Sequence, residues 1–177
     1  NLGVTVPFRN SIGLAIDNGG GSFHPYAPGP ILDRSMFEPH FTATPCVLFD
    51  NGKWRMWYLS CTEWLEIDDS PKHRYHIKYA ESLDGINWCR SGEIAIDYAN
   101  DDEYAISRPS VIRDGDVWKM WFSYRGESYR IGYAESNDGR KWKRLDKLAG
   151  IDVSVKGWDS EMIEYPFVFD HKGERYM

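Results

Sequence analysis

IKYAESLDGINW at residues 77–88 is answered 54 positions on by IGYAESNDGRKW at residues 131–142. A phrase of this length written twice marks a repeated structural unit. The echo extends upstream, where GKWRMWYLS (52–60) matches GDVWKMWFS (115–123) and TPCVLFDNG (44–52) matches RPSVIRDG (108–115). A third version opens at YPFVFDHKGERYM (165–177), and a fainter one stands near the start as IGLAIDNGGGSF (12–23).

The spacing defines the unit. Pro45, Pro109 and Pro166 lie 64 and 57 apart, and Ile12, Ile77 and Ile131 lie 65 and 54 apart. These are periods of one four-stranded sheet, slightly above the usual length of a propeller blade. Within a unit the residues alternate as strands do: Trp54, Met56 and Tyr58 share one face, Arg55 and Trp57 the other. DNG, RDG and DHKG fall where hairpin turns belong. No segment holds an apolar period of 3.6. The expected fold is all-β, a β-propeller of four-stranded antiparallel blades, with about three blades' worth of strands in this chain.

Four tracts follow: a half-blade at 11–32, blades at 41–95 and 106–148, and a half-blade at 162–177. Strands of the second tract, labelled from the central channel outward, are expected at 45–49, 54–60, 75–81 and 88–94. The half-blades leave strand edges without partners, and open edges invite pairing. The chain is expected either to join the two half-blades or to form a homo-oligomer through them; a fragment of a longer propeller fits the same pattern.

Composition narrows the partners. The 177 residues carry a net charge of −6 with no run of Lys or Arg, which argues against nucleic acid and anionic membranes. No apolar stretch reaches membrane-spanning length, and NLGVTVPFRN lacks the form of a signal peptide. The compartment stays open, with the cytoplasm as the expectation. Cys46, Cys61 and Cys89 are odd in number and widely spaced, so they read as reduced thiols. His24, His40, His73, His76 and His171 show no metal-ligand spacing. No metal and no cofactor is expected. Aromatic residues reach 15%, more than packing requires, which leaves rings for a ligand.

Repetition separates scaffold from site. Asp84 and Asp138 recur with the motif S-x-D-G-x-x-W, so they read as turn residues rather than catalytic ones. Function is expected where copies differ. Tyr58 and Tyr79 are 21 apart but Phe122 and Tyr133 only 11, so the first copy carries ten extra residues in CTEWLEIDDSPKHRY (61–75). This loop, with Glu63, Trp64, Asp68, Asp69 and His73, either overhangs the channel mouth or is a solvated acidic loop. The residues before the inner-strand prolines read TATP, ISRP and IEYP, placing Thr44, Ser107, Arg108 and Glu164 at that mouth. GWDSEMIEYP adds Asp159 and Glu161, and SYRGES adds Arg125. Carboxylates, arginines and aromatic rings around a funnel suit a polyhydroxylated ligand.

With its blade repeats, its MWY and YAES-DG-W phrasing and the Glu-x-Pro at Glu164, nearly the whole chain resembles the five-bladed β-propeller glycoside hydrolases, the superfamily of families 43, 62, 32 and 68. The resemblance implies hydrolysis of glycosidic bonds by paired carboxylates, with Glu164 as general acid. Arg108 stands where the family's middle aspartate precedes proline, so the pattern breaks there. The family's first inner-strand carboxylate has no counterpart in this sequence. Asp159 and Glu161 are the substitute catalytic candidates, and Arg108, Arg125, Trp64, Thr44 and Ser107 the substrate-binding ones. A sugar-binding propeller without catalysis and a purely structural fragment are the alternatives.

Overall fold

In the computed structural model, which describes residues 8–67 and 69–177, the alternating runs become two antiparallel meanders. The first comprises β3 (Phe41–Asp50), β4 (Lys53–Ile67), β5 (Ser70–Ser82) and β6 (Trp88–Ile96). The second comprises β7 (Ala105–Asp114), β8 (Val117–Arg125), β9 (Tyr129–Ser136) and the short β10 (Lys143–Arg144). They touch edge to edge through one parallel pairing, Tyr75 with Ala105. The sole helical element among the described residues is a 3-10 turn at Asp146–Leu148. The fold is all-β and built of four-stranded propeller blades.

Two short hairpins flank the meanders. β1 (Ala15–Asp17) pairs β2 (Phe23–Pro25), and β11 (Phe169–His171) pairs β12 (Glu174–Tyr176). Each hairpin forms its own sheet, so among the described residues they do not close on each other. An Ile12–Leu32 bridge packs the first tract against Met56, Tyr58, Ala80 and Trp88.

The main core lies between the meanders. Trp57, Ile77, Tyr79 and Ile96 from the first meet Ile106, Val111, Trp118, Met120 and Phe122 from the second. Direct bonds cross this boundary. Trp57 Nε1 donates to the Gly139 carbonyl at 2.8 Å, and Arg55 donates to the Asp138 carbonyl at 2.7 Å while stacked on Trp118.

The duplicated turn makes the same backbone bonds in both copies, and the first adds a bond from the Asn87 side chain to Asp84 Oδ2 at 2.8 Å. Ser82 Oγ accepts the Gly85 N–H at 2.9 Å, and Asp84 Oδ1 accepts those of Ile86 and Asn87 at 2.9 and 2.7 Å. Ser136 Oγ accepts Gly139 N–H at 2.9 Å, and Asp138 Oδ1 accepts Arg140 and Lys141 N–H at 2.8 and 2.9 Å. Gly85 and Gly139 take positive φ, and a Cβ on either would press on a tryptophan, Trp54 or Trp118, at 3.3 Å. Trp88 and Trp142 close the turns by donating to the Gly85 and Gly139 carbonyls. These aspartates are structural.

A second duplication has no common motif in the sequence. Arg90 donates to Glu38 at 2.9 Å and to the Asp33 carbonyl at 2.6 Å. Its counterpart Arg144 donates to Glu103 at 2.7 Å and to the Asp97 carbonyl at 3.0 Å. Each pair ties the last strand of a blade to the segment entering its first.

Candidate functional site

Three residues directly before proline, Thr44, Arg108 and Tyr165, take φ of 43°, 53° and 62°. Left-handed backbone at non-glycine residues is uncommon, and the residue before proline is already barred from the right-handed helical region. In β3 and β7 this conformation coincides with a register shift, between Ala43 and Cys46 and between Ser107 and Ser110. Such bulges re-aim a side chain. The inner strands therefore turn one residue per repeat at the same end of the fold, and those three residues differ chemically.

Arg108 and Tyr165 meet. The Arg108 guanidinium carbon lies 4.9 Å from the Tyr165 ring centre, and Tyr165 stands 6.1 Å from Tyr129. Arg125, at the end of β8, stacks on the other side, 5.1 Å from Tyr129 and 5.8 Å from Tyr104. Tyr129 shares a 3.0 Å hydroxyl–hydroxyl bond with Tyr75. The segment 163–165 is pinned to this surface, with Ile163 N–H donating to the Tyr129 carbonyl and Tyr165 N–H to Ser123 Oγ at 2.6 Å. Burial and the Glu164 carboxylate both hold the Tyr165 hydroxyl above the ordinary tyrosine range. Burial, then the Tyr129 hydroxyl, does the same for Tyr75. Arg108, Glu164 and Tyr165 are exposed, so this face is open to solvent.

The remaining candidates divide. Thr44 Oγ1 accepts the Arg108 N–H at 3.4 Å, so it supports the Arg108 backbone. Ser107 is buried within β7, opposite Ser123. Trp64, expected as a free ring, is buried among Phe41, His73 and Phe8. Asp159 accepts the Ser154 hydroxyl at 2.8 Å, and Glu161 is reached through its carbonyl, by Arg130 at 2.9 Å. Among the described residues, neither carboxylate makes a bond to the tyrosine–arginine cluster. Glu164, directly before Tyr165, is exposed.

The extra residues of the first copy are a β-ribbon rather than a loop. β4 and β5 stay paired from Cys61–Tyr75 out to Ile67–Ser70, and Asp68 lies outside the described residues. The expected loop is thus corrected to an extended hairpin, held by the continued pairing of its two strands rather than by an alternating pattern. At its base His73 stacks on Tyr75 at 4.9 Å. Burial first, then Lys72 and Arg125, holds His73 below the usual histidine range. Tyr75, Tyr104, Tyr129 and Tyr165 carry no motif of their own: Tyr129 opens β9, Tyr104 precedes β7, Tyr75 lies within β5 and Tyr165 directly precedes Pro166.

A cavity of about 460 Å³ opens elsewhere, between Tyr124, Arg130, Asp146 and Asp152. It belongs to the outer part of the second meander and includes none of the candidate residues.

No family model matches the sequence. Two Mycobacterium tuberculosis proteins, uncharacterized protein MT1551 of strain CDC 1551 / Oshkosh and uncharacterized protein Rv1502 of strain ATCC 25618 / H37Rv, are each 45% identical over 177 residues. The match covers all of this chain and 58% of each relative, so the chain spans less than two thirds of their length. Among solved structures, a glycoside hydrolase superposes with a TM-score of 0.71 at 20% identity, over 91% of this chain and 50% of that one. BT0996, solved as an RGII complex, gives 0.70 at 20% identity, over the same shares. Zg3597, a family 117 glycoside hydrolase of Zobellia galactanivorans, gives 0.60 at 19% identity, over 76% of this chain and 45% of that one. The fold is that of these glycoside hydrolase propellers.

Proposed function

We infer that the chain forms part of a carbohydrate-active, five-bladed propeller that binds a glycan at the Arg108–Tyr165 face and acts on its glycosidic bonds. The observation that carries this reading is the cluster of Arg108, Tyr165, Tyr129 and Arg125 beside Glu164, at the inner-strand end where the repeats diverge. Tyrosine rings offer sugars an apolar face and a hydroxyl, and guanidinium groups donate to ring and hydroxyl oxygens. Glu164 is the general acid in this reading.

Hydrolysis needs two carboxyl groups flanking the bond, within about 5–10 Å of each other. Glu164 is one; Asp159 and Glu161 are the substitutes this chain offers. The second reading, sugar binding without catalysis, is favoured by one observation: neither of those two carboxylates makes a bond to the cluster. Edge pairing of the terminal hairpins between copies remains a proposal, checked by light scattering.

The test compares wild type with Glu164→Gln in the full-length protein on a panel of aryl glycosides and oligosaccharides. Turnover lost at least about 100-fold with sugar affinity unchanged supports Glu164 as the acid, since general acid catalysis contributes roughly 10²–10⁴. Binding without turnover in wild type itself supports the second reading. No binding to any sugar overturns both.

A further inference from the structure

We propose that the glycan bound at the Arg108–Tyr165 face is anionic, a sugar bearing a carboxylate or a charged ester group, and that Arg108 and Arg125 hold that group. The proposal rests on the sugar-site reading above and adds the charge of the ligand.

It starts from the arginines. Arg55, Arg90, Arg113, Arg140, Arg144 and Arg175 each hold a carboxylate within 3.3 Å. Arg108 and Arg125 enter no salt bridge among the described residues. The Arg125 Nε is buried and has no hydrogen-bond acceptor. A buried donor of a charged group left without a partner costs more than a neutral one. Both guanidinium groups stack on tyrosine rings, but stacking occupies the flat face and leaves the in-plane N–H groups open. Those N–H groups form the fork that matches a planar carboxylate or two oxygens of an ester oxyanion.

The surroundings point the same way. Tyr165 and Tyr129 are the adjoining rings on which Arg108 and Arg125 stack, so the two cations share one small surface. His73 stacks on Tyr75 at the base of the ribbon, next to the same tyrosines. Glu164 is the neighbouring carboxylate, yet it is exposed and within salt-bridge distance of neither arginine. Two arginines that merely braced the fold would be expected to hold carboxylates within 4 Å, as nine of the other ten do among the described residues; the exception, Arg34, is exposed and stacks on no ring. An anion lying across Tyr129 and Tyr165 would satisfy both at once, leaving Glu164 to meet the sugar hydroxyls or the glycosidic oxygen.

The experiment is calorimetric titration of the full-length protein with two matched series. One pairs oligogalacturonides with their methyl-esterified, neutral forms; the other pairs sulfated oligosaccharides with their unsulfated parents. The expected result is affinity about tenfold or more higher for the charged member of at least one pair, equivalent to about 1.4 kcal/mol, weakening as salt is added. The series that shows it tells carboxylate from ester. Arg108→Gln and Arg125→Gln should each lower affinity for the charged member more than for the neutral one, so that the preference shrinks. Arg125→Lys, which keeps charge but loses the fork, serves where Arg125→Gln does not fold, and should reduce it too. Equal affinity for charged and neutral members overturns the proposal and leaves the sugar site standing. A preference that survives both arginine changes overturns their assignment. No binding in either series overturns the sugar reading and the proposal with it.

Discussion

The two meanders repeat each other closely at the turn end and diverge at the inner-strand end. At the turns, Asp84 and Asp138 make the same bonds to the same backbone positions. At the other end, equivalent left-handed positions hold threonine, arginine and tyrosine. Bonds that every blade needs to dock on its neighbour are retained in each copy. A ligand on the axis meets each blade once, so its contacts differ from blade to blade. The contrast separates what holds the propeller together from what it presents.

The sharpest way to break that contrast lies inside the scaffold, at the duplicated Glu–Arg pair. Glu38 is fully buried, accepting from Arg90, from Tyr58 at 2.9 Å and from Ser35 at 2.6 Å, with Lys78 3.7 Å away. Glu103 accepts from Arg144, but Arg144 also holds Asp146 at 2.6 Å. Glu38→Ala strands Arg90 and Lys78 and should cost about 3–5 kcal/mol, the range for breaking a buried pair. Glu103→Ala leaves Arg144 a carboxylate and should cost clearly less. Chemical denaturation of both variants checks the order; equal losses would show that Asp146 does not compensate.

Next in size is the one core position where the copies differ most. Lys78 in β5 corresponds to Gly132 in β9. Lys78 reaches the Phe37 carbonyl and Glu38. A Cβ on Gly132 would lie 2.4 Å from the Phe122 ring and 2.9 Å from an Asp146 oxygen. Gly132→Ala should therefore destabilise by about 1–3 kcal/mol through overpacking, despite the small change. Thermal or urea melting decides it, and an unchanged midpoint would mean Phe122 swings aside freely.

These pairs also mark how much was legible in the sequence. The blades, the turns and the roles of Asp84 and Asp138 were readable, because period-2 alternation and a shared motif are local signals. The Glu38–Arg90 and Glu103–Arg144 pairs were not, because Glu38 and Glu103 have different neighbours and meet their arginines 52 and 41 residues away. The ten extra residues carry no period-2 alternation, so their sequence reads as a loop, and only pairing between β4 and β5 makes them ribbon. Of the candidate site, Arg108 and Glu164 stand out in the sequence because charge before a strand is conspicuous. The tyrosines do not, since in a chain with eleven of them no single one stands out.

A smaller effect separates the copies by pH. His76 in β5 corresponds to Arg130 in β9. Burial holds His76 below the usual histidine range, against the opposing pull of Asp97 at 3.1 Å. A histidine depressed in the folded state binds its proton more readily when unfolded. Its contribution is therefore complete above the unfolded value of about 6.5 and is lost as pH falls from there toward the folded value. His40 and His73 are depressed too, also chiefly by burial, and add to the same window. His76→Gln should flatten the decline in stability below about pH 6.5, by less than about 1.4 kcal/mol per pH unit, while Arg130→Gln should leave the slope alone. Denaturation midpoints at several pH values give both slopes, and an unchanged slope in His76→Gln would assign the window to the other two.

The smallest expected effect belongs to the turns, and it tests whether repetition does mark scaffold. Asparagine keeps one side-chain oxygen where aspartate has two, and the Ile86 and Asn87 N–H groups both converge on Asp84 Oδ1. Asp84→Asn and Asp138→Asn can thus preserve the turn's main bonds with a weaker, uncharged acceptor. The Asn87 N–H leads in holding Asp84 below the ordinary carboxylate range; at Asp138 burial pulls upward and the Lys141 and Arg140 N–H groups outweigh it. Folding should weaken slightly in each variant, and sugar affinity and turnover should match wild type. Glu164→Gln is the mirror image: little loss of stability at an exposed side chain, with function changed. If Asp84→Asn or Asp138→Asn instead removes function from a protein whose melting midpoint is intact, the copied ends of the blades do more than hold them together.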